Sequence, residues 1–222
     1  MKVKTHAPTG LSLLEVFVVI ATIVLLAIIL PTLVSPGAHS KTRARRIQCV
    51  NNLKQIGLAD LLYANDHEDK FPWMVSTNFN PTNTSGSREF TNSPQVFRHF
   101  QAISNELSVA RILHCPSDDG REKAADFVNL SNSNLSYFLT FDASEATPQM
   151  ILSGDRNITG GTLASPNLFW VPSGSLLSWT KSMHVSAGNI VLADGSVQQM
   201  TSSTLQKQLQ LQPLPVVRLA IP

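Results

Sequence analysis

Three sets of residues have the types and spacing to do chemistry. His184 is followed, after nine intervening residues, by Asp194-Gly195, and with Asp155 and several serines it invites comparison with a hydrolase, in which an acid orients a histidine that activates a hydroxyl. No Gly-x-Ser-x-Gly elbow accompanies them. His184 is therefore read as a structural residue, hydrogen-bonded to Asp155 or to a backbone carbonyl, and Asp194 as a turn former. Cys49 and Cys115 are the chain's two cysteines, too few for a disulfide scaffold and without the paired spacing of a zinc site. An exported head permits a bridge between them across 66 positions; two buried thiols are the alternative, and the sequence leaves both open. Asp118 and Asp119 stand beside Gly120 in "PSDDGRE", oxygen donors in a turn whose spacing does not match an EF-hand loop.

Other signatures are missing from the sequence. There is no phosphate-binding glycine loop, no His-Glu-x-x-His, no dinucleotide fingerprint and no Cys-x-x-Cys. The 15 aromatics among 222 residues do not interleave with bases as a stacking surface would. Formal net charge is +2, and residues 47–222 hold 11 bases against 14 acids, which is not the balance of a nucleic-acid binder. No substrate is indicated, and no catalytic residue or enzyme activity is assigned.

The elements that must position these groups begin with "GLSLLEVFVVIATIVLLAIILP", residues 10–31, an apolar run that nonetheless carries Glu15. From Leu11 to Val34 there is no Lys or Arg, and a helix of that length reaches about 36 Å, enough for a bilayer core of about 30 Å. Pro31 and Pro36 could kink or end the first helical stretch. A secretory signal would stop sooner and offer a small-residue cleavage site. The basic leader with Lys2 and Lys4, the Gly-Leu-Ser-Leu-Leu-Glu sequence and the unbroken apolar stretch together resemble the type IV prepilin signal. The resemblance implies cleavage after Gly10 by a membrane prepilin peptidase, methylation of the new amine on Leu11, and an assembly role for Glu15.

Physical reasoning meets the same residue. A lone carboxylate at membrane depth costs about 2.5–3.5 kcal/mol on insertion scales and calls for a partner, for which a neighbouring subunit's terminal amine is the candidate. The plainer reading makes Glu15 a first-turn acid favoured by the helix dipole. Basic residues near the span number two before it and four after it (Lys41, Arg43, Arg45, Arg46), so the positive-inside rule favours a cytoplasmic head, whereas the cleavage motif places the head outside. We follow the motif. The four-base collar can serve as a solvated helix face or meet lipid phosphates.

Residues 41–65 put Ile47, Val50, Leu53, Ile56 and Leu61 at helical spacing, predicting an amphipathic helix. Residues 76–94 read as a surface loop rich in Asn, Thr and Ser, and residues 95–107 recover a helical period. Strands are predicted at 135–141, 149–155 and 167–171, followed by a hairpin from Asn189–Ala193 to Ser196–Met200 around a type I′ turn at Asp194-Gly195, and a helix at 202–211. "CVNNLKQIGLADLLYANDHEDKFP" is similar to the segment after the anchor in pseudopilin-like proteins. "CPSD" (115–118), "SGDRN" (153–157) and the His184 to Asp194-Gly195 spacing are similar to the C-terminal region of a prepilin-type, processing-associated group.

The expected fold is α+β and pilin-like: a leader at 1–10, a transmembrane or assembly helix at 11–34, a collar and amphipathic helix at 35–65, and a head at 66–222 built on a small antiparallel sheet. The expected role is a structural subunit of a pilin-like filament, of the type II secretion pseudopilus or type IV pilus kind, single-pass in the inner membrane with its head in the periplasm. Its partners would be prepilin peptidase, other pilin-like subunits, an inner-membrane assembly platform and the lipid bilayer, with no nucleic acid. No cofactor is expected, apart from calcium at Asp118 and Asp119, because some major pseudopilins carry a head-loop calcium. The rivals are a tethered periplasmic enzyme, with a polar pocket around His184 and Asp155, and a tethered adhesin reading its ligand with the 76–94 loop, Trp170 and Trp179.

Overall fold

The computed structural model describes residues 12–34, 38–77 and 86–222. Gly10, Leu11, Pro36 and residues 78–85 of the predicted 76–94 loop lie outside the described residues. The chain divides into a unit that contains the first helix and a second unit running from Thr42 to Pro222.

In the first unit, α1 spans Leu13–Val34, and Pro31 falls inside it without ending it. Its first 18 residues, Leu13–Leu30, have a mean hydropathy of 3.1 and none of them is buried within the chain, so by length and composition the helix can cross a membrane. Its start is fixed locally. Ser12 is the N-cap: its Oγ accepts the Glu15 N–H at 3.3 Å, while Glu15 Oε2 accepts from Ser12 N at 2.8 Å and Ser12 Oγ at 3.1 Å. That reciprocal pair is a capping box, which satisfies donors a helix start would otherwise leave open.

The second unit is α+β. Helix α2 spans Ala38–Asp66; α3 (Phe97–Ala102) and α4 (Ser104–Leu107) are short, and α5 spans Ser202–Gln210. The strands are β1 (Tyr137–Thr140), β2 (Ile151–Asp155), β3 (Ile158–Thr159), β4 (Thr162–Ser165), β5 (Leu168–Pro172), β6 (Ser178–Trp179), β7 (Ala187–Leu192), β8 (Val197–Thr201) and β9 (Val216–Ala220). Seven of them form one antiparallel sheet in the order β4-β5-β9-β1-β2-β7-β8, larger than the small sheet expected, and β3 pairs with β6.

Both faces of this sheet are covered, which explains why its central strands β1, β2 and β7 are buried almost without a break. Leu139, Leu152 and Val191 share a buried cluster with Cys49, Leu53, Ile56 and Tyr63 of α2. Phe138, Ile151, Ile190 and Leu192, one residue out of phase, share a second cluster with Leu205 of α5. Each fully buried aliphatic or aromatic side chain contributes about 1.5–3 kcal/mol. The α2 backbone approaches β7 so closely that a Cβ on Gly57 would lie 2.6 Å from Val191 Cγ2.

Several expectations require correction. The buried stripe of α2 runs through Cys49, Leu53, Ile56, Asp60 and Tyr63, and Ile47 lies off it at 48% exposure. The predicted helix at 95–107 breaks at Ile103, where ψ reaches 24°, and stops at Ser108 with φ at 62°. The hairpin turn is not type I′. Gly195 alone has positive φ (79°), its N–H donates to Leu192 O at 2.9 Å, and Asp194 Oδ1 accepts the Ser196 N–H at 2.8 Å. That is a type I turn followed by a left-handed glycine, the three-residue hairpin solution. Strands β3, β4, β6 and β9 were not predicted. Trp179, expected to be exposed, is buried at 4% exposure, whereas Trp170 projects at 50%.

Candidate functional site

The sequence segments singled out above converge beneath the turn that precedes β7. Cys115 is bonded to Cys49 of α2, so the bridge left open by the sequence is formed. Cys115 Sγ lies 3.4 Å from His184 Nε2. The same nitrogen lies 3.4 Å from Asp155 Oδ2, at the end of β2. Asp155 is fixed from the next strand, where Asn189 of β7 donates its N–H at 2.7 Å and its Nδ2 at 2.8 Å to that oxygen. Asp155 is fully buried and His184 is only 8% exposed.

His184, Val185 and Ser186 hold φ of 50°, 55° and 59°, three successive left-handed residues without a glycine. Such a run costs of order 1–3 kcal/mol per residue and needs its surroundings to enforce it. Asn157 supplies that constraint: its Nδ2 donates to the carbonyls of Thr180, Met183 and Ala187, each at 3.1 Å. Sequence reasoning flagged "SGDRN" without assigning this role, and its neighbours are equally engaged. Ser153 Oγ donates to Phe138 O at 2.6 Å, and Arg156 makes a two-pronged pair with Asp118, Nε to Oδ2 and Nη2 to Oδ1, both at 2.7 Å. Burial pushes the Asp118 carboxyl up, but the Arg156 hydrogen bonds and charge outweigh it and hold the group below its ordinary value. The two oxygens that a calcium ion would need at Asp118 therefore face a guanidinium, and Asp119 is exposed.

Electrostatics favour neutral groups at the centre. Burial pushes Asp155 up to about 7, against the Asn189 hydrogen bonds that pull it down. Burial, with the Arg46 charge, pulls His184 down to about 4. Their contact is therefore not an ion pair near neutral pH. Nor is it a relay: a nucleophile–histidine–acid relay uses opposite nitrogens of the ring, whereas the sulfur and the carboxylate both face Nε2, and His184 Nδ1 has no hydrogen-bond partner among the described residues. Asp194 and Gly195 lie away from this cluster, in the β7–β8 turn against Leu61 of α2. The arrangement is a clasp that ties α2, the 115–118 loop, β2 and the turn before β7 to one point.

Residues 39–99, which include most of α2, match a family model described as a protein of unknown function (DUF1559). No curated protein and no solved structure matches the chain.

Proposed function

We propose that this chain is a pilin-like filament subunit, made as an inner-membrane precursor, cleaved after Gly10 by a prepilin peptidase, methylated on Leu11 and drawn by an assembly platform into a polymer with its head on the periplasmic side. The observation that carries this reading is the pairing of a bare apolar helix with one carboxylate at its start: no residue of Leu13–Leu30 is buried within the chain, and Glu15 has no cationic partner among the described residues. The helix faces would find their cover in neighbouring helices after leaving lipid, and Glu15 would find a neighbour's terminal amine. The clasp fits a mechanical role, because it braces the head around α2 and offers no open reactive group. Mass analysis of the N-terminal peptide of the membrane-extracted protein tests the proposal. A peptide beginning with methylated Leu11 is expected; a chain retaining residues 1–10 defeats it.

A further inference from the structure

We infer that the clasp is a latent metal site: when the Cys49–Cys115 bridge is open, the two thiolates and His184 Nε2 bind one zinc ion, with Asp155 the carboxylate nearest the fourth position. The sequence lacks paired-cysteine spacing, and it is the fold that assembles the set. One sulfur of each cysteine and one nitrogen of His184 all lie within 4.8 Å of one another, and all three residues are buried. Zinc takes sulfur at about 2.3 Å and nitrogen or oxygen at about 2.0–2.2 Å, so adjacent ligand atoms of a tetrahedron stand about 3.4–3.8 Å apart. The His184 Nε2 to Cys115 Sγ separation is 3.4 Å and the His184 Nε2 to Asp155 Oδ2 separation is 3.4 Å, both at such an edge already. The two sulfurs, bonded here, must part, and the Asp155 carboxylate, which is not one of the three mutually close residues, must move in to fill the fourth position.

One further feature points to a ligand. Asp155 Oδ1 is buried without a hydrogen-bond partner among the described residues, an acceptor that a cation would satisfy. Bridge and metal are thus alternative closures of one site. The freshly made chain, with free thiols, would hold zinc; exchange with a partner disulfide, which is reduced to two thiols as the Cys49–Cys115 bond forms, would release the ion.

The test uses the full chain in detergent. A water-soluble phosphine opens the bridge: the S–S bond breaks, the phosphine becomes its oxide with oxygen from water, and the two protons go to the sulfurs. Zinc binding then releases the thiol protons. Cobalt(II) is the probe, followed by zinc. The reduced chain is expected to bind one equivalent of cobalt with thiolate charge-transfer and intense tetrahedral d–d bands, all lost on adding zinc, while the oxidised chain shows none. His184→Gln should weaken zinc by more than the ~10–100-fold that loss of an outer-shell partner costs, and Asp155→Asn by less than His184→Gln. Absence of thiolate bands, equal affinity in His184→Gln, or a reduced chain that unfolds and is not restored by zinc would each overturn the assignment.

Discussion

Ser12 and Glu15 close the first turn of α1 on each other, with Ser12 N 2.8 Å from Glu15 Oε2 and Glu15 N 3.3 Å from Ser12 Oγ. Glu15 thus has a structural task before any neighbour arrives, and the S-x-x-E spacing of Ser12 and Glu15 is its signature in the sequence. The cap and the assembly role make different demands. A cap needs an acceptor, whereas pairing with a terminal amine needs a charge.

Glutamine serves as well as glutamate at this capping position, so Glu15→Gln keeps the helix start and removes only the charge. Under the proposed function both Glu15→Gln and Glu15→Val insert in the membrane and fail to give the cross-linked ladder of assembled subunits. Assembly of Glu15→Gln at the wild-type level would reduce Glu15 to a cap.

The Cys49–Cys115 bridge closes a loop across a separation of 66 residues, for which chain entropy gives about 4 kcal/mol. Cys49→Ala/Cys115→Ala is expected to lower the free energy of unfolding by about 2–5 kcal/mol in urea. A loss under 1 kcal/mol would mean that the clasp holds without the bond.

Asp118 is buried, and Arg156 is its two-pronged partner. Arg156→Ala strands that charge and should cost about 3–5 kcal/mol, while Arg156→Ala/Asp118→Asn should recover part of the loss. Because Arg156 already occupies both oxygens, millimolar calcium is expected to leave the wild-type Tm unchanged; an increase would show that the ion displaces the guanidinium.

His99 is buried, with Nδ1 2.8 Å from Ser87 Oγ and its ring edge-on to Phe141, and burial pulls it down to about 4. An unfolded histidine takes up its proton near pH 6.5, so between about 6.5 and 4 only the unfolded chain binds that proton. Stability is then full above about 6.5 and falls on acidification by up to about 1.4 kcal/mol per pH unit. His184, also lowered to about 4, adds the same sign; Asp155, raised to about 7, has the opposite sign, since its protonated folded form loses advantage as pH rises from about 4 to 7. Against that partly cancelled background, urea titrations at pH 4.5 and 6.5 should show the gap between wild type and His99→Gln narrowing at the lower pH. A gap independent of pH would place the buried proton elsewhere.

What could be read in advance depended on whether a residue's partner was near in sequence. Helix α2, β1, β2, β5, the β7–β8 hairpin and α5 announce themselves by local period and turn chemistry. Strand β9 does not, because its partners are remote in sequence: Leu219 pairs with Phe169 of β5, 50 residues upstream, and with Thr140 of β1, 79 residues upstream. Trp179 looked exposed because its two-residue strand carries no period, yet Gly188 leaves room for its ring, with Cε3 2.5 Å from where a Cβ would stand. The clasp was half legible: Asp155 was named as a partner for His184, but the bridge that meets them is a product of tertiary folding alone.

Strand β9 also governs when the head can exist. It follows every other strand in chain order, yet it lies between β5 and β1, so the β4–β5 ribbon has no attachment to the rest of the sheet until residues 216–220 are in place. A ribosome must have released nearly the whole polypeptide before the central layer can knit together, and a premature stop a few codons short would leave two half-sheets with raw edges instead of a slightly shortened subunit.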